Sequence, residues 1–272
     1  MRIVTTADDF GFDDETVDCT IACLEDGVLT GASIMANMPA TRRALDYARH
    51  RPDKSYGVHL VFCTDENERP CASPDLIPDL VTADGKFLAS NRMRLLGLTG
   101  QLPVEQIVRE AEAQIGAVRD CGIAIDYVDS HGHLHKTRPF QVALQQVLPK
   151  FGIRHVRSAQ NIYFNSIAMR PMGWLTPLFN IAIRNRFDTT RWFFMPETSG
   201  DRTWPQRLLE RIASYDFAGD IEVGVHPGRY GWRQMEDAQL RSFVAEARVS
   251  GHHLVAWRNV KGLRKPESIK AL

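Results

Sequence analysis

Short β-rich runs alternate along this chain with segments whose apolar residues recur at helical spacing. Residues 2–7 read as a strand that runs into two acids. Over 13–26, Val17, Ile21 and Leu24 recur at helical spacing, and Gly27 stops the helix. Residues 30–37 and 55–62 read as strands, with a helix at 40–50 between them. The span 104–120 predicts an amphipathic helix with Ile107, Ala111, Ile115 and Val118 on one face. A strand at 123–128, a proline-opened helix at 139–151 and a strand at 153–157 follow. The last elements expected are a helix at 204–215, a strand at 220–225, a helix at 235–250 and a strand at 253–256.

This βαβα rhythm predicts a parallel sheet covered by helices, an α/β fold. About seven βα units in a chain of 272 residues favour a closed or nearly closed barrel over an open sheet. No repeat, low-complexity tract or flexible linker interrupts the chain, so 1–272 reads as a single domain. Two stretches break the rhythm. Residues 63–102 carry Pro70, Pro74, Pro78 and the turn pair Asp84-Gly85. Residues 160–200 are rich in aromatic side chains and arginine and read as a long insert. Long segments of this kind in a compact domain are usually functional. The insert reads as a lid, a sugar-facing wall, a packing surface in a homodimer, or a contact for a lipid-linked substrate.

Charge narrows the classes. Lys plus Arg and Asp plus Glu both number 33, for a formal net charge of zero, which argues against a nucleic-acid partner held by a basic field. At 44% hydrophobic and 24% charged, the composition is that of a globular protein. No apolar run is long enough for a membrane span, and no leader pattern opens the chain. The five cysteines include no C-x-x-C pair and read as reduced thiols, which together with the missing leader suggests a cytoplasmic protein.

Barrels of this kind place their reactive groups at the C-terminal ends of the strands, and four polar motifs fall there. The first is Thr5-Thr6-Ala7-Asp8-Asp9-Phe10-Gly11. Adjacent carboxylates on an extended chain point different ways, so one can bind a metal while the other faces water; a helix cap is the alternative. The second is Gly57-Val58-His59-Leu60, where His59 is either a ligand or a bonded core residue. The third is Asp129-Ser130-His131-Gly132-His133-Leu134-His135. Its histidines would share a face if extended, whereas a turn would redirect the later two. The fourth is Glu222-Val223-Gly224-Val225-His226-Pro227-Gly228, with His226 left at the rim by the turn that follows. Asp, His and His form a three-ligand set with room for water, the form of a catalytic metal site.

In that order the motifs ADDFG, GVHL, DSHGHLH and VHPG resemble the YdjC/ChbG family of carbohydrate deacetylases, which includes the hopanoid-associated HpnK branch. The resemblance spans residues 7–228. It implies a modified (β/α) barrel related to the polysaccharide deacetylases and the hydrolysis of an N-acetyl group from an amino sugar. Carried over residue by residue, it implies Asp9, His59 and His131 as ligands of one divalent ion, Asp8 as general base and His226 as general acid. His133 and His135 match histidines that support the site or touch substrate. Arg157 matches an arginine that would orient Asp8 or a substrate oxygen. The chain departs from the family pattern at Tyr127, Asp18 and Gly132, which bears on the substrate more than on the reaction.

Family members are often described with magnesium. Two imidazoles suit zinc or cobalt better, because magnesium prefers oxygen ligands. Rival readings are another metal-dependent hydrolase on the same barrel (an amidohydrolase or phosphoesterase) and a non-catalytic sugar-binding protein. A binding protein needs neither the base nor the acid, and no glycine-rich phosphate loop is present.

Overall fold

The computed structural model describes residues 1–64, 68–164, 174–197, 201–214 and 218–262. β1 (Arg2–Phe10) stands at the centre of a parallel sheet. On one side follow β2 (Gly31–Ile34), β3 (Ser55–Leu60), β4 (Tyr127–Ser130) and β5 (His155–Val156). On the other lie β7 (Asp220–Val225) and then β6 (Trp192–Phe194), while β8 (His253–Leu254) pairs with the start of β1. The sheet curls until its end strands communicate. Val156 N–H donates to Asp188 O and Asn161 N–H to Phe193 O, at 3.0 and 3.1 Å. This is the curled parallel α/β barrel that the alternating pattern predicts.

Helices cover the outside: α1 (Asp14–Glu25), α2 (Thr41–His50), α3 (Ser90–Thr99), α4 (Val104–Arg119), α5 (Arg138–Val147), α6 (Thr176–Arg184), α7 (Trp204–Ser214) and α8 (Gly231–Val249). α4 buries Ile107, Ala111, Ile115 and Val118, the face its spacing predicts. The helix expected over 139–151 instead ends at Val147 and continues as a 3-10 turn, Leu148–Phe151. Pro149 has no N–H to continue the ladder. None of the described helices is long and apolar enough to cross a membrane.

Three elements escape the sequence pattern. α3 forms inside the proline-bearing stretch 63–102. α6 and β6 form inside the stretch read as an insert, so part of 160–200 belongs to the barrel itself. β6 is a short aromatic run with Phe193 and Phe194 both buried, so neither alternation nor helical spacing shows. The rest of that stretch, 165–173 and 198–200, lies outside the described residues, and the lid reading with it.

Strand alternation sorts the side chains into two cores. Ile3, Ile34, Val58, Val128, Val156 and Val223 face the helices in the main cluster. Val4, Tyr127, Trp257 and Val260 form a separate cluster inside the barrel. Trp257, on a 3-10 turn after β8, stacks on Tyr127 with ring centroids 4.6 Å apart and donates from Nε1 to Thr6 Oγ1 at 3.1 Å. The N-terminal end of the barrel is thereby plugged, and the polar interior is confined to the other end.

Candidate metal centre and active site

Alternation along β1 turns Val4, Thr6 and Asp8 inward. Asp9 should then face the helices, as Ile3 and Ala7 do. Instead Asp9 has φ 59°, and the register with β2 slips between Ala7 and Phe10. Aspartate tolerates this left-handed conformation better than most residues. The kink swings the second carboxylate back to the rim, so both acids reach the same cavity. Neither caps α1; Asp13 does that, accepting from Thr16 N–H at 2.7 Å.

Asp9 Oδ1 lies 3.4 Å from His59 Nε2 and 3.3 Å from His131 Nδ1. The other oxygen, Oδ2, accepts from Arg233 Nη2 at 2.7 Å. His59 comes from the end of β3, and its Nδ1–H donates to Asp129 Oδ1 at 2.9 Å. Ser33 Oγ donates to the same oxygen. The Asp129 bond leaves His59 Nε2 with its lone pair toward Asp9, the way a ligating imidazole is held. Burial alone would raise the Asp9 carboxyl. The hydrogen bond from His131 and the charges of His226 and His59 outweigh it and hold Asp9 well below the usual range.

The donor set fits one divalent cation. Ligands at about 2.0–2.1 Å in tetrahedral array stand about 3.3 Å apart, and the observed separations match. A second cluster of potential donors, Asp8, His59 and Asp129, also gathers within 4.8 Å. Arg157 already bonds both of its carboxylates, and its charge would repel a cation there. The first set is the one that fits.

Arg157 follows β5 and is fully buried. Its Nη1 and Nη2 both donate to Asp8 at 2.7 Å, its Nε donates to Glu222 Oε1 at 2.8 Å, and Nη1 lies 2.5 Å from Asp129 Oδ2. Phe193 of β6 covers the guanidinium at 4.9 Å. One buried cation therefore holds three carboxylates from three strands. Burial pushes the Glu222 carboxyl up to about 7; Arg157 opposes this, and the charges of Asp8 and Asp129 add to it.

His226 directly follows β7, and its backbone N–H donates to Glu236 Oε2 at 2.7 Å. Its ring Nδ1 lies 3.4 Å from the same oxygen and packs edge-on to Trp232. Burial alone would lower its pKa, but Glu236, helped by Asp9 and Asp8, shifts it upward. α8 starts earlier than its spacing predicts, at Gly231 rather than 235. Its first turns bring Arg233 and Glu236, three residues apart on one face, to Asp9 and His226.

The later histidines part company with His131. β4 stops at Ser130, and Gly132 and His133 take left-handed φ values of 64° and 55°. Ser130 Oγ accepts from the backbone N–H of His135 at 2.9 Å and meets its Nδ1 at 2.8 Å, so His135 turns into the wall. Burial, with Asp129 partly opposing it, lowers the His135 pKa to about 3. His133 packs edge-on to Phe193 with centroids 6.1 Å apart, beside the centre rather than in the donor set.

The structure thus brings Asp8, Asp9, His59, His131, Arg157 and His226 to one end of the barrel. Sequence reasoning missed Ser33, Asp129, Glu222, Arg233 and Glu236. Asp129 and Glu222 stood inside the motifs already singled out, at inward-facing strand positions. The others leave no local signal.

A parallel β/α barrel with an Asp-His-His cluster at its C-terminal rim defines the class. A family model described as YdjC-like protein matches residues 2–254, and the chain belongs to that family. A carbohydrate deacetylase from Geobacillus stearothermophilus is 30% identical over 224 residues, covering 82% of this chain and 78% of that protein. One from Brevibacillus brevis is 31% identical over 137 residues, half of each chain, and one from Halalkalibacterium halodurans 28% identical over 155 residues, 62% of its length. The chain thus spans about half to two thirds of these last two relatives. Among solved structures, a proposed cellobiose-phosphate cleavage protein from Enterococcus faecalis V583 superposes with a TM-score of 0.73 at 19% identity, over 94% of this chain and 97% of that one. It shares the fold.

Proposed function

We propose that this protein is a metal-dependent hydrolase that removes the N-acetyl group from an amino sugar, releasing acetate and a free amine. The observation that carries the reading is the juxtaposition of Asp8 and the Asp9-His59-His131 cluster. An oxygen of Asp8 lies within 4.8 Å of a ring nitrogen of His59, and Arg157 clasps both Asp8 oxygens from behind. The relatives called carbohydrate deacetylases support the substrate class.

A divalent cation bound by Asp9, His59 and His131 supplies Lewis acidity toward the acetyl oxygen and water. The Arg157 clasp fixes the Asp8 carboxylate in one orientation, and Asp8 takes the proton of the attacking water. His226 carries its proton with help from Glu236 and gives it to the departing nitrogen. Asp129 keeps the His59 ring from rotating. Arg233 caps the Asp9 oxygen that faces away from the histidines. Two imidazoles in the set favour zinc or cobalt over magnesium. A cytoplasmic setting is part of the same proposal, since all five cysteines are free.

Acetate release from N-acetylglucosamine oligomers, assayed with zinc, cobalt and magnesium in turn, tests the proposal. Asp8→Asn should keep the bound metal and lose about 10²–10⁴-fold in turnover, the usual scale of a general base. No acetate from any amino sugar with any of the three metals would overturn the function. Full turnover by Asp8→Asn would overturn the assignment of the base.

A further inference from the structure

The connection from β3 to α4 carries α3 over the same end of the barrel as the metal cluster. There α3 seats Gly97 against Thr137, just ahead of α5; a Cβ on Gly97 would lie 3.1 Å from Thr137 Oγ1. Between α3 and the left-handed turn after β4 lies a cleft of about 260 Å³ lined by Arg94, Leu98, Gly132, His133, Leu134 and Lys136, together with Thr137. It backs directly onto the turn that presents His131.

The charge in this cleft is one-sided. Among the described residues, neither Arg94 nor Lys136 has a carboxylate partner or any hydrogen bond from its cationic head. By contrast, the two arginines that touch the metal cluster and its carboxylates are paired, Arg157 to three carboxylates and Arg233 to Asp9. Lys136 is half-buried, and burial, with the like charge of Arg94, pulls its pKa below the usual value. Bringing two cations together in a recess without an acid is unfavourable unless an anion completes the site. Gly132 makes room for the arrangement. A Cβ there would stand 3.2 Å from Arg94 Nη2, so a side chain would crowd the guanidinium. Leu98 and Leu134 add an apolar part to the same lining, which suits a carbon skeleton carrying the anion.

We propose that this cleft is an oxyanion subsite, in which Arg94 and Lys136 together bind a phosphate-class group beside the metal centre. The anion arrives either on the sugar being deacetylated or as a free ion. The first source rests on the deacetylase reading; the site itself does not.

Titration calorimetry with inorganic phosphate tests the site first. Binding should weaken at least tenfold in Arg94→Gln/Lys136→Gln and persist in Asp9→Asn, which separates the cleft from the metal. Equal phosphate binding by wild type and the double variant, or loss of binding in Asp9→Asn alone, would overturn the proposal. Acetate release from N-acetylglucosamine and its 6-phosphate then separates the sources. A KM rise of tenfold or more confined to the phosphorylated sugar in the double variant identifies a substrate-borne anion. Unchanged kinetics on both sugars, with weakened phosphate binding, identifies a free one. Absence of acetate from both sugars would count against the deacetylase reading alone, because the calorimetry stands without it.

Discussion

At the scale of single residues, the site is a problem of surplus negative charge. Asp8, Asp129 and Glu222 converge on Arg157 in a space closed to water. One guanidinium cannot balance three carboxylates, and Glu222 is the group that gives way. Its carboxyl, pushed to about 7 by burial, stays protonated well above the usual glutamate range. The sign of its effect on stability follows. An unfolded glutamate ionises near 4.3. As pH rises from there toward 7, the unfolded chain gives up this proton before the folded one does. The fold loses stability across that interval and regains it on acidification. Glu222→Gln removes the group, so its stability relative to wild type should improve steadily between pH 4.5 and 7. Urea unfolding of metal-free protein over that range measures this, and parallel pH profiles for the two proteins would show that Glu222 is not the group that titrates.

At the scale of elements, the strands were legible wherever one face met helices and the other met the barrel interior. The motifs at the strand ends mark Asp8, Asp9 and His59 as candidates, and alternation along β1 and β3 turns Asp8 and His59 inward. The sequence reads Asp9 as a ligand pointing away from Asp8; what it does not show is the local kink at φ 59° that overrides alternation and brings both acids to one cavity. Alternation also left β6 unread, since β6 is too short and too uniformly apolar to show a period. α3 hid behind the prolines that precede it. Arg233 and Glu236 act across more than a hundred and about ten residues of sequence, respectively, and no local pattern reports such pairings. Contacts between strands set further demands that composition does not reveal. Gly57 of β3 faces the ring of Tyr127 on β4, and a Cβ there would come within 2.4 Å of it. Tyr127 cannot retreat, because Trp257 is stacked on its other side. Gly57→Ala should therefore destabilise the fold by about 1–3 kcal/mol through overpacking. Pairing it with Tyr127→Leu should recover part of that loss, as expected for side chains in contact. Thermal melts of the single and double variants check both expectations.

At the scale of the whole molecule, the curled sheet is what makes the centre. Asp9, His59 and His131 are far apart in sequence and come from β1, from β3 and from the turn after β4. β1 and β3 are not even neighbours, since β2 stands between them. Curvature closes that gap at the C-terminal rim, while Trp257 plugs the opposite end and keeps the polar groups to one mouth. The proposed chemistry depends on this convergence more than on any one side chain. Anomalous diffraction from crystals grown with zinc, recorded on both sides of the zinc absorption edge, tests it most directly. The account predicts a strong peak about 2.0–2.2 Å from Asp9 Oδ1, His59 Nε2 and a ring nitrogen of His131. A zinc peak bound elsewhere, or none at this cluster in fully zinc-loaded protein, would contradict it.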